Sequence, residues 1–552
     1  MTVTTTSILM PPHLRARIAG DPAVGAGNVL RTALETSPAP EALCLTAERP
    51  VTDTDGSART DFSLRAIDAL VEAWSCHYSD RGVMPRDRVA VWVDDSFEDQ
   101  LHYFALSRIG AIAVLINGGL DADVAAGLIR RTAAVGVHTD ERRRPLLERA
   151  LDDDAAAPRW IHTADLPNGY GGRTLPASAR YRHADADPVL ICHSSGTTGV
   201  PKPVVWTHGQ AMAGIRHHLP GFLEQKEARL LSALPQSHAS AVGYTCMALL
   251  AGVPLTVLSG RGGAHLARAI DTHLPTTVVA FAGSYAELAT LPEDPGPLTS
   301  VQTWISIGDA SHQAHIKRLT ARGSHLRGGR PHPGSMFVDG FGASELGWGG
   351  VLGQVTVPGT TGHSRCIGRP QPYADIAVLR ADGSPAEDQE VGLLGVKGPT
   401  ITPGYWGDSD TTYRSQLAGY WLSGDLVYRD RLGRFHHVDR AVDAISTPTG
   451  PGYSILMEEV LLAHLPDVDD CAVVEAHVNG GPAAVALVTP RGALQPNALE
   501  RANEALRAAG QPEIARLTTA EGEWTIPFGA TGKVLKRRLR ERLADALVGP
   551  AL

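Results

Sequence analysis

Between positions 194 and 202 the chain reads Ser194-Ser195-Gly196-Thr197-Thr198-Gly199-Val200-Pro201-Lys202. Gly196 and Gly199 let the backbone turn its N–H groups inward as an anion-binding nest, the hydroxyls of Ser194, Ser195, Thr197 and Thr198 add donors, and Lys202 adds a positive charge. Such a loop is suited to holding polyphosphate. The apolar run Pro188-Val189-Leu190-Ile191-Cys192 that precedes it reads as a buried strand. A flexible Gly/Ser/Thr linker has no reason to sit against a strand and close on Pro-Lys. The pattern G-x-x-x-x-G-K-[ST] does not occur, so this is not a Walker loop.

The segment resembles the phosphate loop of the adenylate-forming superfamily, which holds acyl- and aryl-CoA synthetases, peptide-synthetase adenylation domains and luciferases. Its pattern [ST]-S-G-[ST]-T-G-x-P-K-G is matched up to Lys202, and Pro203 stands at the final glycine, with one backbone donor fewer. Further segments follow in the family's order as far as Lys533. Pro235-Gln236-Ser237-His238 is similar to P-x-x-H, where a histidine closes over the substrate carboxylate. Ile305 to Ala310 matches the turn beside adenine, with Asp309 replacing a glycine. Phe337 to Glu345 matches N-x-Y-G-x-[ST]-E, Ser423-Gly424-Asp425 matches [ST]-G-D, and Asp439-Arg440-Ala441-Val442-Asp443 is similar to the hinge pattern G-R-x-x-D. Ile526 to Lys533 contains P-x-x-x-x-G-K.

Roles follow from the resemblance. ATP or AMP would lie among Ser194, Ser195, Gly196, Thr197, Thr198, Gly199, Lys202, Gly308, Asp309, Ala310, Asp339, Gly340, Phe341, Gly342, Ala343, Ser344, Asp425, Arg440 and Lys533. Phe341 offers adenine a flat face and Asp339 accepts from its amino group, Ser344 donates to a phosphate, and Asp425 accepts from the ribose hydroxyls. Thr197 and Glu345 would hold Mg²⁺ through hard oxygen atoms. Lys533, His238, Thr197 and Glu345 are the implied catalytic set, and Asp443 is the implied pivot between domains. A pocket for the acyl group is expected from His238, Phe281, Ser284, Gly308, Gly340 and Gly347. Its many small residues favour a bulky apolar or aryl carboxylic acid. Ala239 and Ser240 follow His238 where amino-acid-activating relatives place an aspartate, so an acid without an α-amino group is expected.

The resemblance weakens where the second half-reaction is decided. After the hinge the family reads I-K-x-x-G-x-x-I-x-P-x-E-[IV]-E, which shapes the tunnel for a pantetheine thiol. Here Ser446 replaces the lysine, the loop through Pro448 and Pro451 is longer, Leu461 replaces the last glutamate, and Leu393 replaces the glutamate of an earlier G-E-L motif. The adenylation machinery reads as complete and the thiol-accepting machinery as altered. The leading expectation is an ATP-dependent acid–thiol ligase with CoA as acceptor. Its alternatives are transfer to a separate carrier protein or to another nucleophile, and, remotely, a nucleotide-binding protein without catalysis.

The supporting frame is ordinary for a globular protein. Of 552 residues, 43% are hydrophobic and 20% charged, and the formal net charge of -9 argues against a general nucleic-acid binder. The basic run Lys533 to Arg542 carries Leu535, Leu539, Leu543 and Leu547 at helical spacing and reads as the solvated face of a terminal amphipathic helix. Six scattered cysteines without a C-x-x-C pair read as reduced thiols in a cytoplasmic protein, and no secretory leader is expected. The uncharged stretch Ala241 to Leu258 contains Gly252 and Pro254, so it reads as a buried helix and strand rather than a membrane span. Helical spacing over Ser63 to Tyr78 and around Glu98 to Ile109 alternates with strands at Arg88 to Val93 and Ala111 to Ile116. That alternation predicts an α/β protein: a large N-terminal domain of layered sheets and helices, residues 1–439, and a small mobile α+β C-terminal domain, residues 440–552.

Overall fold

The computed structural model describes residues 8–151, 157–163, 166, 169–194, 201–223, 227–292, 294–296, 298–327, 330–360, 365–478, 480–520, 525–527, 529 and 534–546. Ser195, Gly196, Thr197, Thr198, Gly199 and Lys533 lie outside these residues.

The expected alternation is present. Leu64–Asp80 is a helix whose first turn is capped by the Ser63 side chain, which accepts from Ala66 N, and Ile67, Leu70, Val71 and Trp74 are buried along its inner face. Strands Arg88–Trp92, Ile112–Leu115, Gly136–Thr139, Trp160–Thr163 and Pro188–His193 pair in parallel, with Arg88–Trp92 central, and Pro203–Thr207 closes one edge antiparallel. They are short, continuous apolar runs because helices cover both faces. The antiparallel return makes the phosphate-loop segment the tip of a hairpin: His193 pairs with Pro203, and Pro203, first in its strand, needs no ladder donor.

A second, mixed sheet has 14 strands among the described residues. Its parallel part runs from Leu43–Thr52 through Leu255–Val257, Leu230–Ser232, Thr277–Phe281 and Thr303–Ile307 to Met336–Phe341. Antiparallel strands then carry it through Leu352–Thr356 and Cys366–Pro370 to Phe435–Arg440 and Tyr420–Arg429. Ala239–Ala251 is a buried helix stopped by Gly252 in the left-handed conformation, and Leu255–Val257 is the strand after it. No described helix is long and apolar enough to cross a membrane. The leading residues, whose purpose the sequence leaves open, are tied down by Arg15, 1% exposed. Its guanidinium donates to Met10 O and Ala251 O, both at 2.9 Å, and to Phe222 O.

After Arg440 the chain leaves this sheet. Val468–Val478 and Gly481–Pro490 form an antiparallel pair, Ile514–Thr519 adds in parallel, and helices Ser454–His464 and Ala498–Ala508 cover one face. Helix Lys536–Ala546 covers the other with Leu539 and Leu543, two of the leucines at helical spacing. All six cysteines are buried free thiols.

Candidate active site

The base of the phosphate loop is fixed by its own backbone. Ser194 N donates to Lys202 O at 3.0 Å, and Lys202 N donates to Ser194 Oγ at 3.1 Å. Lys202 Nζ stands 5.0 Å from the centre of the Tyr405 ring, a cation–π contact, and Tyr405 Oη donates to Glu345 Oε1 at 3.0 Å. Ser344 and Glu345 lie on a single helical turn, Ser344–Leu346, which Trp206 Nε1 holds by donating to Ser344 O at 2.8 Å. Lys202 and Glu345 thus line one cavity from positions far apart in sequence.

That cavity encloses about 530 Å³. His218, Phe222, His238, Tyr244 and Trp348 give it aromatic walls, and Lys202, Glu345, Gly424 and Arg440 line it as well. Of the residues expected around an acyl group, His238, Gly308, Gly340 and Gly347 line it. Phe281 and Ser284 do not: both are buried, and Phe281 stands behind Gly308, where a Cβ would meet its ring at 2.7 Å. Gly308 also has φ +89, so glycine is required there twice over. His238 caps helix Ala239–Ala251 by accepting from Ser240 N at Nδ1, 3.2 Å, and its ring meets Phe281 edge-on at 5.2 Å.

Trp348 is seated by two glycines. A Cβ at Gly243 would fall on its indole ring and one at Gly214 on its carbonyl oxygen, so both helices approach only because those side chains are missing. Tyr244 packs edge-on against it at 5.1 Å. Gly243→Ala is expected to push the indole into the cavity and raise KM for the substrate that occupies it by about tenfold, since overpacking costs about 1–3 kcal/mol. Steady-state kinetics with each substrate varied in turn checks this.

Strand Met336–Phe341 separates two compartments by its period of two. Val338 and Gly340 line the large cavity; Asp339 and Phe341 do not. Phe341 meets His437 at 5.8 Å, and Asp339 feels the charges of Arg365, Glu459 and Asp309. Burial pushes the Asp339 carboxyl up to about 6. On this side Asp425, 6% exposed, has its Oδ1 3.3 Å from His437 Nε2 and 3.3 Å from Arg440 Nε. Burial opposes its charge, but Arg440 and His437 outweigh burial and bring Asp425 down to about 2. Both of those nitrogens are buried without a good hydrogen bond, so donors are gathered where an acceptor-rich ligand would satisfy them.

Arg440 also borders a smaller cavity of about 120 Å³ with Asp309, Ala310, Asp443, Val534 and Lys536. Sequence reasoning missed the polar contacts around this seam. Glu459 of helix Ser454–His464 lies 3.0 Å from His312 Nδ1 and 3.6 Å from Arg365, and Asp443 pairs with Arg540 at 3.0 Å. Asp439, where the family pattern has glycine, is fully buried, accepting from Arg440 N at 2.8 Å and Ser454 N at 2.5 Å. Burial pushes its carboxyl up to about 7, against the pull of Lys536. A folded pKa above the unfolded value of 3.8 gives a contribution to stability that is present below about pH 4 and is lost as pH rises through 7. Asp439→Asn is therefore expected to gain on the wild type between pH 4 and 7, as read by urea unfolding at several pH values.

The family model described as AMP-binding enzyme matches residues 40–406. The chain is 39% identical to a 3-aminoavenalumate diazotase of a Streptomyces species, with 97% of this chain and 99% of that one covered. It is 26% identical to a 3-amino-2-hydroxy-4-methoxybenzoate diazotase of Streptomyces cremeus, covering 83% and 85%. Its fold matches that of the anthranilate CoA ligase AuaEII in complex with anthranoyl-AMP at a TM-score of 0.80, with 18% identity and 96% and 99% of the chains covered. The match of the family model to most of the large sheets, and the alignment of nearly the whole chain with one relative, make the assignment firm: this protein belongs to the AMP-binding, adenylate-forming superfamily and is an adenylating enzyme.

Proposed function

We propose that this chain is an ATP-dependent diazotase, which adenylates nitrite and passes the activated nitrogen to an aromatic amine. The observation that carries this reading is the near-full-length relationship to 3-aminoavenalumate diazotase. A diazonium group needs a second nitrogen at the oxidation level of nitrite, and nitrite, like a carboxylate, is an oxyanion able to attack the α-phosphorus. That attack releases pyrophosphate and leaves a nitrosyl adenylate. The amine lone pair then bonds to the nitroso nitrogen, the N–O bond to AMP breaks, and a proton leaves. Protonation and loss of water from the resulting N-nitrosoamine give the diazonium ion. An aromatic amine is uncharged near neutral pH, so it needs neither a base nor a carboxylate anchor. The aromatic walls of the large cavity, given by His218, Phe222, Tyr244 and Trp348, suit such a ring.

In this reading Lys202 and the phosphate loop bind the β- and γ-phosphates, Asp425 and Arg440 hold the ribose side, and Phe341 and Asp339 flank adenine. His238 borders the reacting oxyanion. Glu345, which lines the cavity with one carboxylate oxygen held by Tyr405, fits a hard cation, and Thr197 is its proposed partner. Mg²⁺ bound there neutralises phosphate charge. Lys533 acts at the α-phosphate, and residues 440–552 turn about Asp443 between half-reactions.

The test is mass spectrometry of purified protein with MgATP, ¹⁵N-nitrite and a panel of amino-substituted aryl acids, trapping diazonium ions with a phenol. A trapped product that carries one ¹⁵N and depends on ATP, with AMP released, is expected. An acyl-CoA or carrier-protein thioester formed without nitrite would overturn the proposal and restore acid–thiol ligation as the second half-reaction.

A further inference from the structure

Away from the nucleotide, the six-stranded sheet and helices Leu64–Asp80 and Glu98–Arg108 enclose a group of histidines around Trp74. The indole meets His102 edge-on at 4.5 Å and His138 at 5.1 Å. Both histidines are almost wholly buried, 0% and 1% exposed. Glu98, at the first turn of its helix, places Oε1 2.9 Å from His138 Nε2 and 3.5 Å from His102 Nε2. The three candidate ligand atoms lie within 4.8 Å of one another. His102 Nε2 and His138 Nδ1 are buried without a hydrogen-bond partner, an uncommon expense for a core.

We propose that Glu98, His102 and His138 form a mononuclear zinc site, separate from the adenylation centre. Two imidazole nitrogens with one carboxylate oxygen suit zinc and disfavour Mg²⁺, which prefers oxygen throughout. Four ligands about 2.0–2.1 Å from a tetrahedral ion stand roughly 3.4 Å apart, close to the Glu98–His102 separation already present. Tyr78 Oη lies 2.8 Å from His102 Nδ1, the outer contact that fixes a ligand imidazole with its other nitrogen facing the metal. The proton that His138 gives Glu98 moves to the unpartnered Nδ1 when the metal takes its place. Of the three side chains Glu98 reaches solvent, being 31% exposed. The ion would join helix Glu98–Arg108 to strand Gly136–Thr139, a rivet for the smaller sheet.

The experiment uses the full chain, stripped with chelator and titrated with Zn²⁺ by calorimetry and with Co²⁺ by visible absorption. One equivalent of each metal is expected, with the intense ligand-field bands of a tetrahedral site and a higher Tm. Tyr78→Phe, which removes only a hydroxyl, should weaken binding roughly tenfold, and His138→Gln by about 100-fold or more. No stoichiometric uptake by the wild-type chain would overturn the proposal and leave a hydrogen-bonded histidine cluster. Octahedral Co²⁺ bands, or uptake that both variants retain in full, would do the same.

Discussion

Lys533→Ala is expected to slow adenylate formation by roughly 10²-fold or more, the scale seen when one preorganised transition-state donor is removed, while the Kd for ATP changes little. Lys533 lies outside the described residues. Val534 and Lys536 border the small cavity with Asp309 and Arg440, and Leu535 N donates to Pro527 O at 2.8 Å. In the proposed mechanism Lys533 supplies a mobile point charge at the α-phosphate, where the pentavalent phosphorus gathers negative charge. ATP–pyrophosphate exchange, run with the acceptor omitted, isolates this step. An unchanged exchange rate would remove Lys533 from the mechanism.

The second large effect is on stability. Lys536 Nζ lies 2.8 Å from Glu458 Oε1, with side chains only 11% and 5% exposed, and also donates to Ser454 Oγ. Glu458 Oε1 accepts from Val473 N at 2.8 Å as well, so one carboxylate ties helix Ser454–His464, strand Val468–Val478 and helix Lys536–Ala546 together. Burial works against the Lys536 charge, but Glu458 and Asp439 outweigh it and raise its pKa. Glu458→Ala strands the buried ammonium, and a loss of about 3–5 kcal/mol is expected. Glu458→Leu combined with Lys536→Met is expected to cost clearly less, because no buried charge is left alone. Hydrogen exchange in Val468–Val478 and Gly481–Pro490 reads this loss locally. Equal protection in Glu458→Ala and the wild type would show that the pair contributes little.

The architecture was legible where one period dominates. Leucines at helical spacing located Lys536–Ala546, and Gly252 with Pro254 divided the apolar stretch into helix Ala239–Ala251 and strand Leu255–Val257. Much of the site could be read from motifs because loops at strand ends carry them in compact form: Ser194, Lys202, Gly308, Gly340, Glu345 and Arg440 meet at one cavity. Phe281 and Ser284 fall behind that wall, since position near a motif says nothing about which way a strand or helix faces. Other features have no local signature at all. Gly214 and Gly243 make room for a tryptophan more than a hundred positions away, and His312 reaches Glu459 on helix Ser454–His464, 147 positions along the chain. Glu98 and His102 share a helical face by their spacing, but His138 joins them only through sheet order.

The strand Met336–Phe341 has an evolutionary consequence. Its neighbouring side chains answer to different ligands: Val338 and Gly340 to whatever fills the aromatic cavity, Asp339 and Phe341 to the opposite compartment. Under the function proposed above, selection can revise the organic substrate at position 338 while positions 339 and 341 preserve the energy source. A lineage built this way can diversify its chemistry by single substitutions without first surrendering its energy source, and a library restricted to Val338 and the aromatic positions Tyr244 and Trp348 should sample new substrates at little cost to ATP use.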